Sequence, residues 1–192
     1  MNIYLVRHTE YHNPDNIYLF HLPLHLSSKG KEQAINIGEW FKNNALLQFP
    51  IYSSPIKRCE QTAKIIASEI KSKVYLDDRL IETTCPNLQG KVRPNKRPWK
   101  VEADESSRES KKSILIRILS IFSEKVKEGK DCILVTHGDP ATVLYYHLKN
   151  NELPKYLWNP KNSKNAVDKG EIVKISLKNN KVVRVKKIVY LE

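Results

Sequence analysis

Two segments with the character of short apolar strands each end in a histidine. Near the amino terminus runs Leu5-Val6-Arg7-His8-Thr9-Glu10, and further along runs Val135-Thr136-His137-Gly138-Asp139. In an open α/β sheet, ligands are met outside the carboxyl ends of the strands. At such a place the Arg7 guanidinium is a planar, bidentate donor for an anion, and the His8 imidazole is a nitrogen nucleophile. A second guanidinium, Arg58, falls in the first turn of a helix-like stretch, Ser54-Pro55-Ile56-Lys57-Arg58-Cys59-Glu60-Gln61-Thr62-Ala63, that follows another strand. Free N–H groups and a partial positive charge at a helix start favour an anion there. Asp78-Arg79-Leu80-Ile81-Glu82 adds a carboxylate, Glu82, suited to general acid work. Singly, each has a plainer reading: an exposed pair, a solvated arginine, a structural histidine. Together they suit an anion held beside a nucleophile.

Such a site needs elements to hold it, and strand and helix signals alternate along the chain, as in an α/β sheet covered by helices on both faces. Residues 3–6 read as a first strand and 9–26 as a polar loop. Ser27 then fits a helix N-cap ahead of Ala34, Ile37 and Phe41 at helical spacing. Residues 50–53 read as a second strand. Ser54 and Pro55 have the arrangement of cap and first helical residue, with Cys59, Ala63, Ile66 and Ile70 along one face. Residues 74–76 suggest a third strand. From about 83 to 110 the pattern dissolves into prolines and charges, the mark of a long loop or small lid. A helix is expected through Ile114, Ile118, Phe122 and Val126, and a central strand over 131–136. Asp139 and Pro140 repeat the cap-and-proline device for a helix to about Leu148. Residues 173–177 and 182–189 read as a closing hairpin about Asn179-Asn180.

The chain has 192 residues with 33 basic and 21 acidic side chains, a formal charge of +12. That length fits one domain with a proper core. The charge draws anions: nucleic acid, acidic membrane surface or small phosphorylated molecules. Lysines and arginines concentrate over 161–187, where a solvated basic edge is the simpler explanation. Aromatic residues do not interleave them at stacking intervals, which weighs against single-stranded nucleic acid. No stretch is long and apolar enough to span a membrane, and the chain opens on a strand pattern in place of a charged-then-apolar targeting pattern, so a cytoplasmic location is expected. Cys59, Cys85 and Cys132 lack the spacing of a disulfide framework or zinc site.

In order, these blocks resemble the histidine phosphatase superfamily, the phosphoglycerate-mutase-like fold, and in particular its smaller phosphatases. Leu5-Val6-Arg7-His8-Thr9-Glu10 is similar to the Arg-His-Gly signature. The segment 23–34 is similar to the family's entry into its first helix, and 54–63 to its second-arginine motif. Leu80-Ile81-Glu82 corresponds to its acid, and Thr136-His137-Gly138 to its second histidine. Thr9 stands where Gly is usual. The family's Asn six residues after the nucleophile is here Pro14, with Asn13 one step early.

The resemblance implies a three-layer α/β/α sandwich with a mostly parallel central sheet, a single domain over 1–192 with a lid at about 83–110. It implies a phosphomonoesterase in which His8 attacks phosphorus, Arg7, Arg58 and His137 neutralise the phosphoryl oxygens, and Glu82 protonates the leaving oxygen. Thr9, Asn13 and Gly138 become candidate substrate contacts. No metal or other cofactor is implied, and the partner is a small phosphate ester. In the lid, Lys91, Arg93, Lys96, Arg97 and Lys100, with Trp99, could meet a second anionic group, or could simply be a basic loop. A phosphoglycerate mutase is the nearest alternative. A non-catalytic basic protein binding anions or nucleic acid on the same fold is the other. The last two strands could pair in a homodimer or simply finish the sheet.

Overall fold

The computed structural model describes residues 1–93, 107–159 and 164–190, with the strands Trp158–Asn159 and Lys164–Asn165 described by their backbone alone. In chain order the elements are β1 (Asn2–Arg7), α1 (Ser28–Asn43), β2 (Ile51–Ser53), α2 (Lys57–Ile70), β3 (Val74–Leu76), a 3₁₀ turn (Asp78–Leu80), α3 (Lys111–Glu128), β4 (Cys132–Thr136), α4 (Gly138–Leu148), β5 (Trp158–Asn159), β6 (Lys164–Asn165), β7 (Ile172–Lys178) and β8 (Lys181–Ile188). Six strands form the central sheet in the order β3-β2-β4-β1-β7-β8. The first four are parallel, while β7 and β8 join antiparallel at one side. The β5–β6 pair was not legible in the sequence.

Alternation along the central strands explains the layers. A strand sends successive side chains to opposite faces. Tyr4 and Val6 of β1, with Ile133 and Val135 of β4, pack against Ile37 and Phe41 of α1 and Ala63, Ile66 and Ile70 of α2. Ile3 and Leu5, with Cys132 and Leu134, pack the other way against Ile118, Ile121 and Phe122 of α3 and Ala141 and Leu144 of α4. Both faces of β1 and β4 are therefore buried, as near-continuous apolar runs require in a parallel sheet. The chain reverses between β7 and β8 at Asn179 and Asn180, both with positive φ (51° and 59°), the demand of a primed hairpin turn.

Helix starts divide into two kinds. Ser27 caps α1 by accepting from the Gly30 amide at 3.0 Å, and Ser110 caps α3 by accepting from Ser113 at 3.1 Å. The other two correct the sequence expectation. Helix α2 begins after Ile56, and α4 begins after His137, and neither cap residue offers a side-chain bond to the helix. Ser54 is not a cap. Its amide continues the sheet to Val135 O at 3.0 Å, and its hydroxyl lies against His137. Asp139 sits inside the first turn of α4 rather than ahead of it. The two helices left without side-chain caps are the two whose first turns carry Arg58 and follow His137.

Candidate active site

The register of the two central strands sets the pair of imidazoles side by side. Arg7 lies opposite Thr136 in the β1–β4 ladder, and the His8 amide donates to Thr136 O at 2.9 Å. The next residue on each strand is a histidine, so the rings meet with centroids 5.2 Å apart. Both are fully enclosed, His8 at 1% exposure and His137 at 0%.

The tautomer of His8 follows from its neighbours. Its Nδ1 is 2.8 Å from Thr9 O, a group that can only accept, so Nδ1 carries the hydrogen. Arg58 Nε, which can only donate, lies 3.3 Å from Nε2, so Nε2 carries the lone pair. Burial, then the positive charges of Arg58 and Arg7, push the imidazole well below its ordinary pKa and keep it neutral. That is the state a nitrogen nucleophile needs.

Arg58, 2% exposed, is locked by carbonyls: Nη2 donates to Phe20 O at 2.7 Å and Nη1 to Leu22 O at 3.3 Å. Arg7 donates through Nη1 to Val167 O at 2.9 Å, while its Nε is buried without a partner. Neither guanidinium is paired with a carboxylate among the described residues, so both keep their charge for a ligand.

His137 is held by groups that sequence reasoning did not connect. Its Nε2 meets Ser54 Oγ at 2.9 Å and Cys59 Sγ at 3.2 Å. Cys59 donates to Thr136 O at 3.3 Å, and Ser54 Oγ accepts from the Ile56 amide at 3.2 Å. With the serine hydroxyl and the thiol both set against Nε2, a hydroxyl donating to Nε2 would leave the ring hydrogen on Nδ1. That Nδ1 is buried and has no partner. Buried polar atoms without partners are rare and call for an explanation; Arg7 Nε and His137 Nδ1, both beside the nucleophile, are atoms that a bound anion would satisfy. Burial, then Arg58 and His8, hold the His137 pKa well below normal. Burial also drives the Cys59 thiol far up, so it stays a thiol.

Glu82 follows the 3₁₀ turn, which is tied down from two sides. Thr136 Oγ1 donates to Leu80 O at 2.6 Å, and Arg117 Nη1 donates to Arg79 O and Ile81 O at 3.0 and 2.7 Å. The carboxylate itself accepts from the Thr83 amide at 2.9 Å through Oε1, leaving Oε2 uncommitted by that bond.

The three lesser candidates separate. Gly138 opens α4 directly beyond His137, with its backbone at the site. Thr9 is spent internally: its amide donates to Thr62 Oγ1 at 3.2 Å, and its hydroxyl lies at the same distance from that atom. Asn13 closes its own loop, donating to Ile17 O at 3.0 Å and accepting from Ile17 N at 3.2 Å. Both side chains thus have partners within the protein.

The lid expectation lies partly outside the described residues, including Lys96, Arg97, Trp99 and Lys100. Within them, the segment leading to Arg93 pairs with the loop after the nucleophile: Tyr18 N donates to Lys91 O at 2.9 Å and Arg93 N to Asn16 O at 2.8 Å. The charge of Asp139 is met by Arg108, 3.7 Å away. Tyr11 was also missed, because a loop aromatic carries no periodic signal. Its ring lies 5.4 Å from that of His8. Among the described residues, no cluster of three or more His, Cys, Asp or Glu could hold a metal ion, and no helix is long and apolar enough to cross a membrane.

Residues 3–185 match the model of the histidine phosphatase superfamily, branch 1. The chain is 30% identical to a probable phosphatase of Schizosaccharomyces pombe over 70% of its own length and 51% of that protein's. It therefore spans about half the length of this and other curated relatives it matches. It is also 30% identical to phosphoserine phosphatase 1 of Hydrogenobacter thermophilus, over 81% of this chain and 80% of that one. Among solved structures, YhfR of Bacillus stearothermophilus superposes with a TM-score of 0.80 at 23% identity, covering 94% of this chain and 93% of that one.

Proposed function

The chain belongs to the histidine phosphatase superfamily, and from that footing we propose that it is a metal-independent phosphomonoesterase working through a phosphohistidine on a small phosphorylated metabolite. The observation that carries this is the state of His8. It is a neutral, buried imidazole whose Nε2 lone pair is fixed by Thr9 O behind and ringed by Arg58, Arg7 and His137. The names of relatives in Schizosaccharomyces pombe and Hydrogenobacter thermophilus support the phosphatase direction.

The demand of phosphoryl transfer is to align the nucleophile and neutralise charge on three oxygens. His8 Nε2 forms a bond to phosphorus as the phosphorus–oxygen bond to the leaving group breaks. Thr9 O holds Nδ1–H while the ring becomes positive. Arg7, Arg58 and His137 Nδ1–H donate to the non-bridging oxygens, helped by amides at the uncapped starts of α2 and α4. Glu82 gives its proton to the leaving oxygen. In the second half, water attacks phosphorus, its proton passes to Glu82, and the nitrogen–phosphorus bond breaks to release inorganic phosphate and neutral His8. The guanidiniums and imidazole do the charge neutralisation that a divalent cation does elsewhere.

The test is phosphate release from a panel of phosphate monoesters in the presence of EDTA, comparing wild type with His8→Ala. Release that survives EDTA and vanishes in His8→Ala is expected. Undiminished release by His8→Ala removes the proposed nucleophile, and isomerised phosphoglycerate in place of free phosphate identifies a mutase.

A further inference from the structure

The basic segment near the carboxyl end is not only a solvated edge. Lys169 lies in a turn braced against the nucleophile's strand. The Gly170 amide donates to both Arg7 O and His8 O at 3.2 Å, and Arg7 N donates back to Glu171 O at 3.2 Å. Within the turn, the Asp168 amide donates to Glu171 Oε2 at 2.8 Å, and Lys187 pairs with the same carboxylate at 2.9 Å. Gly170 makes this possible, with φ of 77° and Tyr190 Oη already 3.0 Å from where a Cβ would stand. The adjacent Lys169 ammonium is thereby held 4.3 Å from the centroid of the Tyr11 ring, the ring that faces His8.

A second cation comes from a different segment. The pairing of the 13–20 loop with residues 90–93 brings the Arg93 guanidinium over Tyr18, 5.3 Å from its centroid. Its Nε is buried without a partner. Neither Lys169 nor Arg93 forms an ion pair with a carboxylate among the described residues. Both reach the Tyr11 hydroxyl electrostatically: burial pushes that phenol's pKa up, but Lys169, Arg93, Arg7 and Arg58 together bring it below its ordinary value. Arg7 and Arg58 are already committed to the transferred phosphoryl group. The remaining positive charge exceeds what one phosphate needs.

We infer that Lys169, held over the Tyr11 ring, and Arg93, held over Tyr18 on the loop that follows the nucleophile, form a subsite for a second anionic group, so that the substrate is a small phosphate ester carrying a carboxylate or a second phosphate. This rests on the phosphatase reading for its first anion, but its cations come from outside the reacting cage. Lys169 supplies a compact point charge and Tyr11 a hydroxyl donor, while Arg93 supplies a planar fork. The subsite sorts substrates rather than activating them.

Calorimetric titration of phosphoglycolate, ethylene glycol bisphosphate and methyl phosphate into wild type, Lys169→Ala and Arg93→Ala tests this directly, since binding needs no turnover. One or both of the doubly functionalised ligands are expected to bind roughly tenfold tighter than methyl phosphate, the scale of one charge-assisted contact. Which of the two gains identifies the second group as carboxylate or phosphate. Each variant is expected to lower that ratio at least threefold or so, whatever it does to methyl phosphate itself. Equal binding of all three ligands by wild type, or ratios untouched in both variants, overturns the subsite. Phosphate release from p-nitrophenyl phosphate is measured alongside. Release without discrimination overturns the subsite and keeps the phosphatase, while discrimination without release from any ester supports the subsite and overturns the phosphatase.

Discussion

Arg58 Nε points at His8 Nε2 across 3.3 Å, and the same guanidinium is bonded to Phe20 O and Leu22 O. One side chain therefore fixes the nucleophile's lone pair, contributes the charge that keeps the ring neutral, and anchors the loop over the site. Arg58→Lys keeps the charge but loses the planar fork that makes these three contacts at once. We expect kcat to fall by about 10²–10³ in Arg58→Lys, the range seen when one preorganised donor is removed. Steady-state kinetics on p-nitrophenyl phosphate measure it; a change below about threefold, far under that range, would show that the three contacts do not act together.

Glu82 makes a second, separable prediction. A good leaving group needs little protonation, a poor one a great deal. Glu82→Gln is expected to lower kcat/KM for an alkyl phosphate by about 10² or more, and for p-nitrophenyl phosphate far less. Equal losses on both substrates would remove Glu82 from the role of acid.

The buried imidazoles also set a pH dependence of stability. His8 and His137 have folded pKa values well below that of a free imidazole, so as pH falls through about 6.5 the unfolded chain takes up protons that the native one does not. Their contribution is intact above that pH and is lost progressively below it, by up to about 1.4 kcal/mol per pH unit for each ring. Urea unfolding at pH 7 and pH 5 should show wild type losing stability, and His8→Asn losing less. The acid-side carboxylates Asp77 and Glu124, whose pKa values are lowered by Arg79, act in a lower window. An equal pH slope in wild type and variant would mean that His8 is not buried neutral.

Gly170→Ala forces a side chain into a left-handed backbone and toward Tyr190 Oη. A loss of about 1 kcal/mol or more is expected in urea unfolding, together with weaker discrimination by the Lys169 turn it supports. Unchanged stability would mean that the turn reshapes freely.

Much of this was legible in the residue order because parallel strands have simple rules. Buried on both faces, β1 and β4 read as apolar runs, and each run ended in the residue that the sheet delivers to its carboxyl edge: His8, His137 and, through α2, Arg58. What was not legible depended on contacts between distant loops. Ser54 and Asp139 fit helix caps by type and spacing, yet Ser54 is drawn to His137 and Asp139 to Arg108 by tertiary neighbours that no local pattern encodes. Tyr11 and Lys169 meet from opposite ends of the sequence, one before the first helix and the other just before β7. Thr9 and Asn13, candidate substrate contacts by position, also have partners within the protein, Thr62 far along the chain and Ile17 close by. Helix and strand periods report burial; they do not report which loop folds over which.

The central claim is that His8 Nε2 becomes bonded to phosphorus. Rapid mixing with a phosphorus-labelled monoester, followed by alkaline denaturation and peptide mapping, tests it most directly. Label stable to base and labile to acid, formed within one turnover on the peptide bearing His8 and absent in His8→Ala, is predicted. Steady release of phosphate with no label on that peptide at any time in the turnover would contradict it.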